Sequence, residues 1–211
     1  MLEVVNLSCV RGDRRLISAL DFSLGPGELL HLHGHNGSGK TTLMRTICGL
    51  IRPDQGEVLW KGQDSRQMGE DFRRELLYIG HRNGIKDDLN GVENLLVSCK
   101  LHGIPLDAAK AWETLERLGL DGHEDLPARV LSQGQKRRVG LAVLLVNPAP
   151  LWILDEPFTA LDAAAVEFLQ SVIRGHVAEG GMVILTTHQE VSLTRGKVQQ
   201  LRLGWKGEGD V

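Results

Sequence analysis

Leu29-Leu30-His31-Leu32-His33-Gly34-His35-Asn36-Gly37-Ser38-Gly39-Lys40-Thr41-Thr42-Leu43-Met44 decides how the rest of this sequence is read. An apolar run feeds a glycine-rich turn, and the turn feeds a second apolar segment. The order is strand, turn, helix, with the phosphate-loop pattern G-x-x-x-x-G-K-[ST] at the turn. In the loop Gly34, His35, Asn36, Gly37, Ser38 and Gly39, the glycines let backbone N–H groups curl around phosphate oxygens. The helix opening at Lys40, Thr41 and Thr42 presents its N-terminal partial positive charge to the same anion. Lys40 supplies a full charge for the β- and γ-phosphates, and Thr41 a hydroxyl for Mg²⁺. The alternative is a glycine turn with a chance GKT, and the strand–turn–helix context speaks against it. A bound nucleotide is the expectation.

Outward from the loop, Leu2 to Leu7 and Leu16 to Leu24 read as strands on either side of a polar turn, Arg11 to Arg15. The phosphate-loop helix ends near Cys48-Gly49. Gly56 to Trp60 and Leu76 to Ile79 are further strands, with a polar helical stretch between them. Asn90 to Leu101 and Leu106 to Leu118 carry helical spacing, Pro105 starting the second, and Gln133 to Val146 is a third helix. Leu151 to Leu154 and Met182 to Thr186 are continuous apolar runs, the mark of strands buried on both faces. Ala163 to Glu179 is helical between them, and Val198 to Leu203 closes the pattern. Strands alternating with helices imply a parallel α/β core. The helical middle, about 86–148, reads as an insert between core segments 1–85 and 149–211.

The run Leu151-Trp152-Ile153-Leu154 ends in Asp155-Glu156. A buried strand ending in Asp places that carboxylate at the carboxyl edge of the sheet, beside the phosphate loop. Asp155 there would hold Mg²⁺, directly or through water. Glu156 is the candidate to polarise an attacking water. Either acid alone could be a helix cap or a surface charge; the pair after such a strand favours the catalytic reading.

The bulk numbers bound the rest. The 211 residues, 42% hydrophobic and 24% charged, suit one globular domain with a real core. A net charge of −3 gives no overall electrostatic reason to expect nucleic acid, and Lys136-Arg137-Arg138 reads as a solvated face or a local anion contact. Three widely spaced cysteines, Cys9, Cys48 and Cys99, fit free thiols in a reducing cytoplasm, without a zinc site or a disulfide framework. No charged start followed by an apolar stretch marks a signal peptide, and no run reaches the ~18 apolar residues of a membrane span. Any membrane role is expected to come through partners.

Leu131-Ser132-Gln133-Gly134-Gln135 opens a helix ahead of the Asp155 strand, Ser132 able to cap it and its free N–H groups able to meet an anion. In this order the segment resembles the signature motif of ATP-binding cassette proteins. Thr159-Ala160-Leu161-Asp162 resembles their D-loop, and Thr186-Thr187-His188 their switch histidine. The resemblance covers nearly the whole chain. It implies a P-loop ATPase cassette of α/β class, with a RecA-like core, an antiparallel β subdomain and an inserted α-helical subdomain. It implies ATP and Mg²⁺, and a second copy of the chain closing head to tail. ATP would then lie between one phosphate loop and the other chain's Ser132, Gln133, Gly134 and Gln135, with Asp162 at the same interface. Lys40, Glu156 and His188 would be the catalytic residues, His188 stabilising charge at the γ-phosphate.

Three positions depart from the family. Gln133 stands where Gly is usual. Arg11 stands where many cassettes stack an aromatic on adenine; a guanidinium can also stack, and a plain turn arginine is the other reading. His81 falls where the family's Mg²⁺-sensing glutamine lies, so it is a candidate for nucleotide or metal contact with a different charge near neutral pH. Ile79-Gly80-His81-Arg82-Asn83-Gly84-Ile85-Lys86, the Leu151 to Ala160 run and Leu185-Thr186-Thr187-His188-Gln189 together resemble the ATP-binding subunits of bacterial cytochrome c maturation haem exporters. That resemblance implies an ATP-hydrolysing translocase subunit, peripheral on the cytoplasmic face of the bacterial inner membrane. It would bind integral membrane permease subunits through a surface near His81 to Leu89, and drive haem export or haem release to a haem chaperone. The partners, rather than this chain, would handle haem, since no Cys-x-x-Cys-His is present. The competing readings are a drug or lipid exporter ATPase and a soluble cassette acting on ribosomes or DNA; single-cassette length and charge weigh against the last.

Overall fold

The computed structural model describes residues 1–187 and 196–204. β1 (Leu2–Arg11) and β2 (Arg14–Leu24) form an antiparallel hairpin, followed by β3 (Glu28–His33) and α1 (Lys40–Ile47). β4 (Gln55–Trp60) and β5 (Gln63–Asp64) lead into two short helices, α2 (Ser65–Met68) and α3 (Glu70–Arg74), then β6 (Leu76–Ile79). Next come α4 (Gly91–Leu101), α5 (Ala108–Glu116), α6 (Gln133–Leu141), β7 (Leu151–Asp155), α7 (Ala163–Ala178), β8 (Met182–Thr186) and β9 (Lys197–Arg202).

Two sheets result. One is antiparallel along β2-β1-β4-β5; the other runs β6-β7-β8-β3-β9, with β7, β8, β3 and β9 pairing in parallel. This is the α/β cassette architecture expected from the sequence. The chain divides into two compact units, Met1–Tyr78 with Ala149–Asp155 and His176–Val211, and Ile79–Pro148 with Glu156–Gly175. The described residues of the first unit include an apolar core. Leu2, Val4 and Leu7 of β1, Leu30 and Leu32 of β3, and Ile153 and Ile184 of the neighbouring strands pack with Leu43, Met44 and Ile47 of α1. Period-two alternation on β3 sends Leu30 and Leu32 to that core and His31 and His33 to the other face, their ring centroids 3.8 Å apart. In the second unit Leu95, Cys99, Ala111, Leu115, Leu120 and Leu141 are buried. All three cysteines are free and buried, and burial pushes the Cys48 thiol up to about 12.

Several boundaries move from their sequence expectation. The turn expected at Arg11 to Arg15 shrinks to Gly12-Asp13, because β1 runs on to Arg11 past irregularities in its pairing, and Asp54 takes the Val10 N–H at 2.6 Å. α5 starts after Asp107 rather than at Pro105, since the Asp107 carboxylate accepts the Lys110 N–H at 2.8 Å and fixes the N-cap there. α6 stops at Leu141 and tightens into a 3₁₀ turn over Ala142–Leu145, a common way to end a helix.

β7 and α7 meet in a flat stack, Trp152 on His176 at 3.7 Å and 3°. Among the described residues neither Trp152 Nε1 nor His176 Nε2 has a hydrogen-bond partner. Burial lowers the His176 pKa, partly opposed by hydrogen bonding with the Pro150 and Met182 backbone. The fold therefore prefers neutral His176. Its stabilising contribution is complete above the unfolded histidine value of about 6.5 and is lost as pH falls through it toward the lowered folded value. The melting temperature should fall on acidification from about pH 7.5 to about 5.5. His176→Phe, which keeps the stack without a titrating group, should show a smaller fall; an identical pH profile for both proteins would refute this account.

Candidate functional site

The phosphate loop joins β3 to α1. Gly34, Gly37 and Gly39 all have positive φ, of 152°, 82° and 103°. A Cβ on Gly34 would come within 2.7 Å of the Leu203 carbonyl and would also strike the Ser38 hydroxyl, so this turn closes only with glycine there. Gly39 is the N-cap of α1 and gives it no side-chain cap, which leaves the first N–H groups of the helix to an anion. Ser38 Oγ is buried and has no hydrogen-bond partner among the described residues. The Lys40 ammonium folds over the loop, donating to the carbonyls of Gly34 at 2.6 Å and His35 at 3.3 Å. His35, Asn36 and Gly37 are exposed at the loop tip, and Thr42 is half-buried in the first turn of α1.

A buried carboxylate stands next to this loop. Parallel pairing of β7 with β8 sets Asp155 opposite Thr186 at the carboxyl ends of the strands. Asp155 is 4% exposed; one of its oxygens accepts the Thr41 hydroxyl at 2.9 Å and the other the Thr186 hydroxyl at 2.8 Å. The structure thus brings together two of the residues expected to hold Mg²⁺. Carboxylate and hydroxyl are hard oxygen donors, and Mg²⁺ asks for only one or two carboxylates beside phosphates and water. The donor set fits, and no cluster of three or more His, Cys, Asp or Glu ligands exists among the described residues.

The chain passes from its first unit to its second between Asp155 and Glu156. Glu156 is half-buried and takes φ of 51°, in the left-handed region, as does Ala160 at 64°. Asp162 caps α7 through the Ala165 N–H at 2.9 Å and pairs with Arg138 at 2.5 Å. The N–H bond first, then Arg138, holds its carboxyl below the usual range. Ser132 and Gln135 form a reciprocal cap on α6, the Ser132 oxygen accepting the Gln135 N–H and the Gln135 carbonyl the Ser132 N–H. Gln133 occupies the first helical position and is exposed, so a side chain is accommodated there. Gly134 is the restricted position, because a Cβ would lie 2.8 Å from the Ala160 carbonyl.

Arg11 is exposed at the end of β1, and His81 is exposed in the bend after β6. His188 lies outside the described residues. Sequence reasoning passed over Arg137, placing it in a solvated basic run; it is 3% exposed and donates to four acceptors of the second unit. The signal that could have found it is its spacing of three from Gly134, which puts both on one helix face.

Fold and phosphate loop define the class as a P-loop nucleotide-binding cassette. The ABC transporter family matches residues 17–159. The cytochrome c biogenesis ATP-binding export protein CcmA of Dechloromonas aromatica is 53% identical over 204 residues, covering 97% of this chain and 100% of that protein. Its namesake from Nitrosomonas europaea is 54% identical over 203 residues, covering 96% and 95%. Among solved structures, a putative ABC transporter ATP-binding protein from Pyrococcus furiosus aligns with TM-score 0.80 at 24% identity, over 95% of this chain and 96% of that one. A dimeric ATP-binding cassette in a post-hydrolysis state with ADP and Pi aligns with TM-score 0.82 at 21% identity, over 97% of each, and shares the fold. The chain belongs to the ABC transporter family, in the group of its cytochrome c biogenesis ATP-binding export proteins. As a member it binds and hydrolyses ATP.

The two neighbouring positions of α6 should respond oppositely to substitution. Gly134→Ala should destabilise by about 1–3 kcal/mol through the collision with the Ala160 carbonyl. Gln133→Gly, at the exposed first position, should stay within about 1 kcal/mol of wild type. Urea unfolding checks both, and equal effects would contradict the packing described.

Proposed function

We propose that this chain is the ATP-hydrolysing subunit of a membrane transporter that serves cytochrome c maturation, driving haem export or haem release to a haem chaperone. The observation that carries the ATPase site is the Thr41–Asp155 hydrogen bond, which joins the phosphate loop to the strand-end carboxylate. The near-full-length relatives support the assignment to cytochrome c biogenesis.

In this reading Gly34 to Gly39 wrap the phosphates with backbone N–H groups. Lys40 turns from the loop carbonyls to the β- and γ-phosphates, exchanging neutral acceptors for charged ones. Thr41 and Asp155 would hold Mg²⁺, with His81 a further contact. The ion, when bound, neutralises charge on the β- and γ-phosphate oxygens. Glu156 orients a water and accepts its proton as the water oxygen bonds to the γ-phosphorus. The bond from that phosphorus to the ADP oxygen breaks, and the electron pair leaves with ADP. His188 stabilises the γ-phosphate charge, and Arg11 lies against the adenine.

Ser132, Gln133, Gly134 and Gln135 serve a second copy of the chain, with Asp162 nearby, so that two nucleotides complete the dimer and hydrolysis releases it. Among the described residues no helix is long and apolar enough to cross a membrane. The relatives' name as export proteins supports a peripheral place for the chain on the cytoplasmic face of the inner membrane, bound to integral membrane permease subunits. Those partners carry the haem.

Lys40→Ala and Glu156→Gln should both lower ATP turnover by at least about 100-fold, as expected when phosphate stabilisation or the base is lost. Only Glu156→Gln should form an ATP-dependent dimer by light scattering; failure of both to dimerise would refute the sandwich. Tagged Glu156→Gln, purified with ATP from detergent-solubilised native membranes, should bring down integral membrane proteins and a haem Soret band. A permease without haem would discard the cargo, and ribosomes or DNA from the soluble fraction would discard the transporter.

A further inference from the structure

Arg137 gathers two chain segments of the second unit onto α6. Its Nη2 donates to the Glu156 carbonyl at 2.8 Å and its Nε to the Pro157 carbonyl at 3.2 Å. Nη1 donates to the Gly80 carbonyl at 3.2 Å and the Asn83 side-chain oxygen at 3.3 Å, on either side of His81. The guanidinium is planar and presents donors in several directions at once, which a lysine ammonium on a single stem cannot reproduce for acceptors so arranged.

The bond to the Glu156 carbonyl is the informative one. Glu156 has φ of 51°, a conformation that residues other than Gly, Asn and Asp rarely adopt. Such backbone persists where its surroundings over-determine it. The peptide after Glu156 is held from two sides, its carbonyl accepting both from Arg137 and from the Thr159 N–H at 3.3 Å. Ala160, the next left-handed residue, sends its carbonyl to the same helix, against Gly134. A third close approach, of Gly140 to the Asn83 carbonyl at 2.6 Å for an added Cβ, seats α6 on the 80–83 bend as well.

We propose that Arg137 is a positioning residue for ATP hydrolysis, holding the left-handed backbone at Glu156 so that this carboxylate is aimed at the reacting water. The same side chain ties the position of α6, which carries Ser132 to Gln135, to Glu156 and to the bend around His81. A shift of α6 on meeting a second copy's nucleotide therefore re-aims the Glu156 of its own chain. This rests on the reading of Glu156 as the base.

The test measures ATP hydrolysis by the full chain in the membrane preparation where wild type turns over, with Arg137→Gln and Arg137→Lys. A misaimed base should cost about 10- to 100-fold in kcat while KM for ATP stays within about twofold. Arg137→Lys, which can keep one bond to the Glu156 carbonyl, should recover several-fold of the loss. Should Arg137→Gln fail to fold, Arg137→Lys carries the same split of kcat against KM. In the Glu156→Gln background, Arg137→Gln should leave the ATP-dependent dimer intact, because the base is already silent. Wild-type kcat in the Arg137 variants, a rise in KM matching the loss in kcat, or loss of the dimer in the double variant would each overturn the proposal. Full turnover by Glu156→Gln alone would instead show that the reading of Glu156 has failed, and the proposal with it.

Discussion

Asp155 is the constraint on which the nucleotide-binding unit depends. A carboxylate at the end of an otherwise apolar strand is costly to bury unless its oxygens are occupied by donors. Here hydroxyls from two different elements supply them, Thr41 on α1 and Thr186 at the end of β8. Hydrogen bonds to a charged group contribute about 1.5–3 kcal/mol each, so the arrangement offsets much of the desolvation. It also fixes α1, and with it the phosphate loop, against the strand that continues into Glu156. Register makes this possible: the parallel pairing places Asp155 opposite Thr186, and a one-residue slip would turn the carboxylate to the other face.

The second unit uses backbone carbonyls where the first uses a side-chain carboxylate. Two left-handed residues, Glu156 and Ala160, turn their carbonyls toward α6. The helix accommodates them with no side chain at Gly134 and a long multi-donor one at Arg137. Arg138 adds a third tie, to Asp162 and to the Gly119 carbonyl at 2.8 Å. The departure at position 133 has a physical reading in this frame. Gln133 is exposed at the first helical position, whereas Gly134 has a carbonyl in the way of any Cβ.

What could be read from the sequence was local. The phosphate loop, the strand ending in Asp155 and the cap at Ser132 all depend on neighbours a few residues away, and their residue types announce the geometry. The resemblance to ATP-binding cassettes followed from their order along the chain. What escaped was decided at long range. Arg137 lies in a basic run that looks solvated until its acceptors arrive from the 80–83 and 156–157 segments. Similarly, nothing local says that Trp152 stacks on His176, since the two rings come from distant points along the chain. The helix boundaries failed for smaller reasons: Asp107 outcompeted Pro105 as the start of α5, and α6 tightened before its apolar pattern ended.

The conformation of Glu156 bears on why its neighbour is so firmly held. An αL residue relaxes to a right-handed or extended conformation by rotating the peptide planes beside it, and such rotation swings its side chain as well. On the N-terminal side, Asp155 cannot follow without breaking its bonds to Thr41 and Thr186. On the C-terminal side, the carbonyl cannot follow without leaving Arg137. Glu156 is thus held on both sides of its left-handed backbone, by the Asp155 hydrogen bonds before it and the Arg137 hydrogen bond after it, and a shift in either set reaches its backbone. A carboxylate mounted on a helix or strand would have no such sensitivity. Mounted here, its direction follows those two sets of hydrogen bonds.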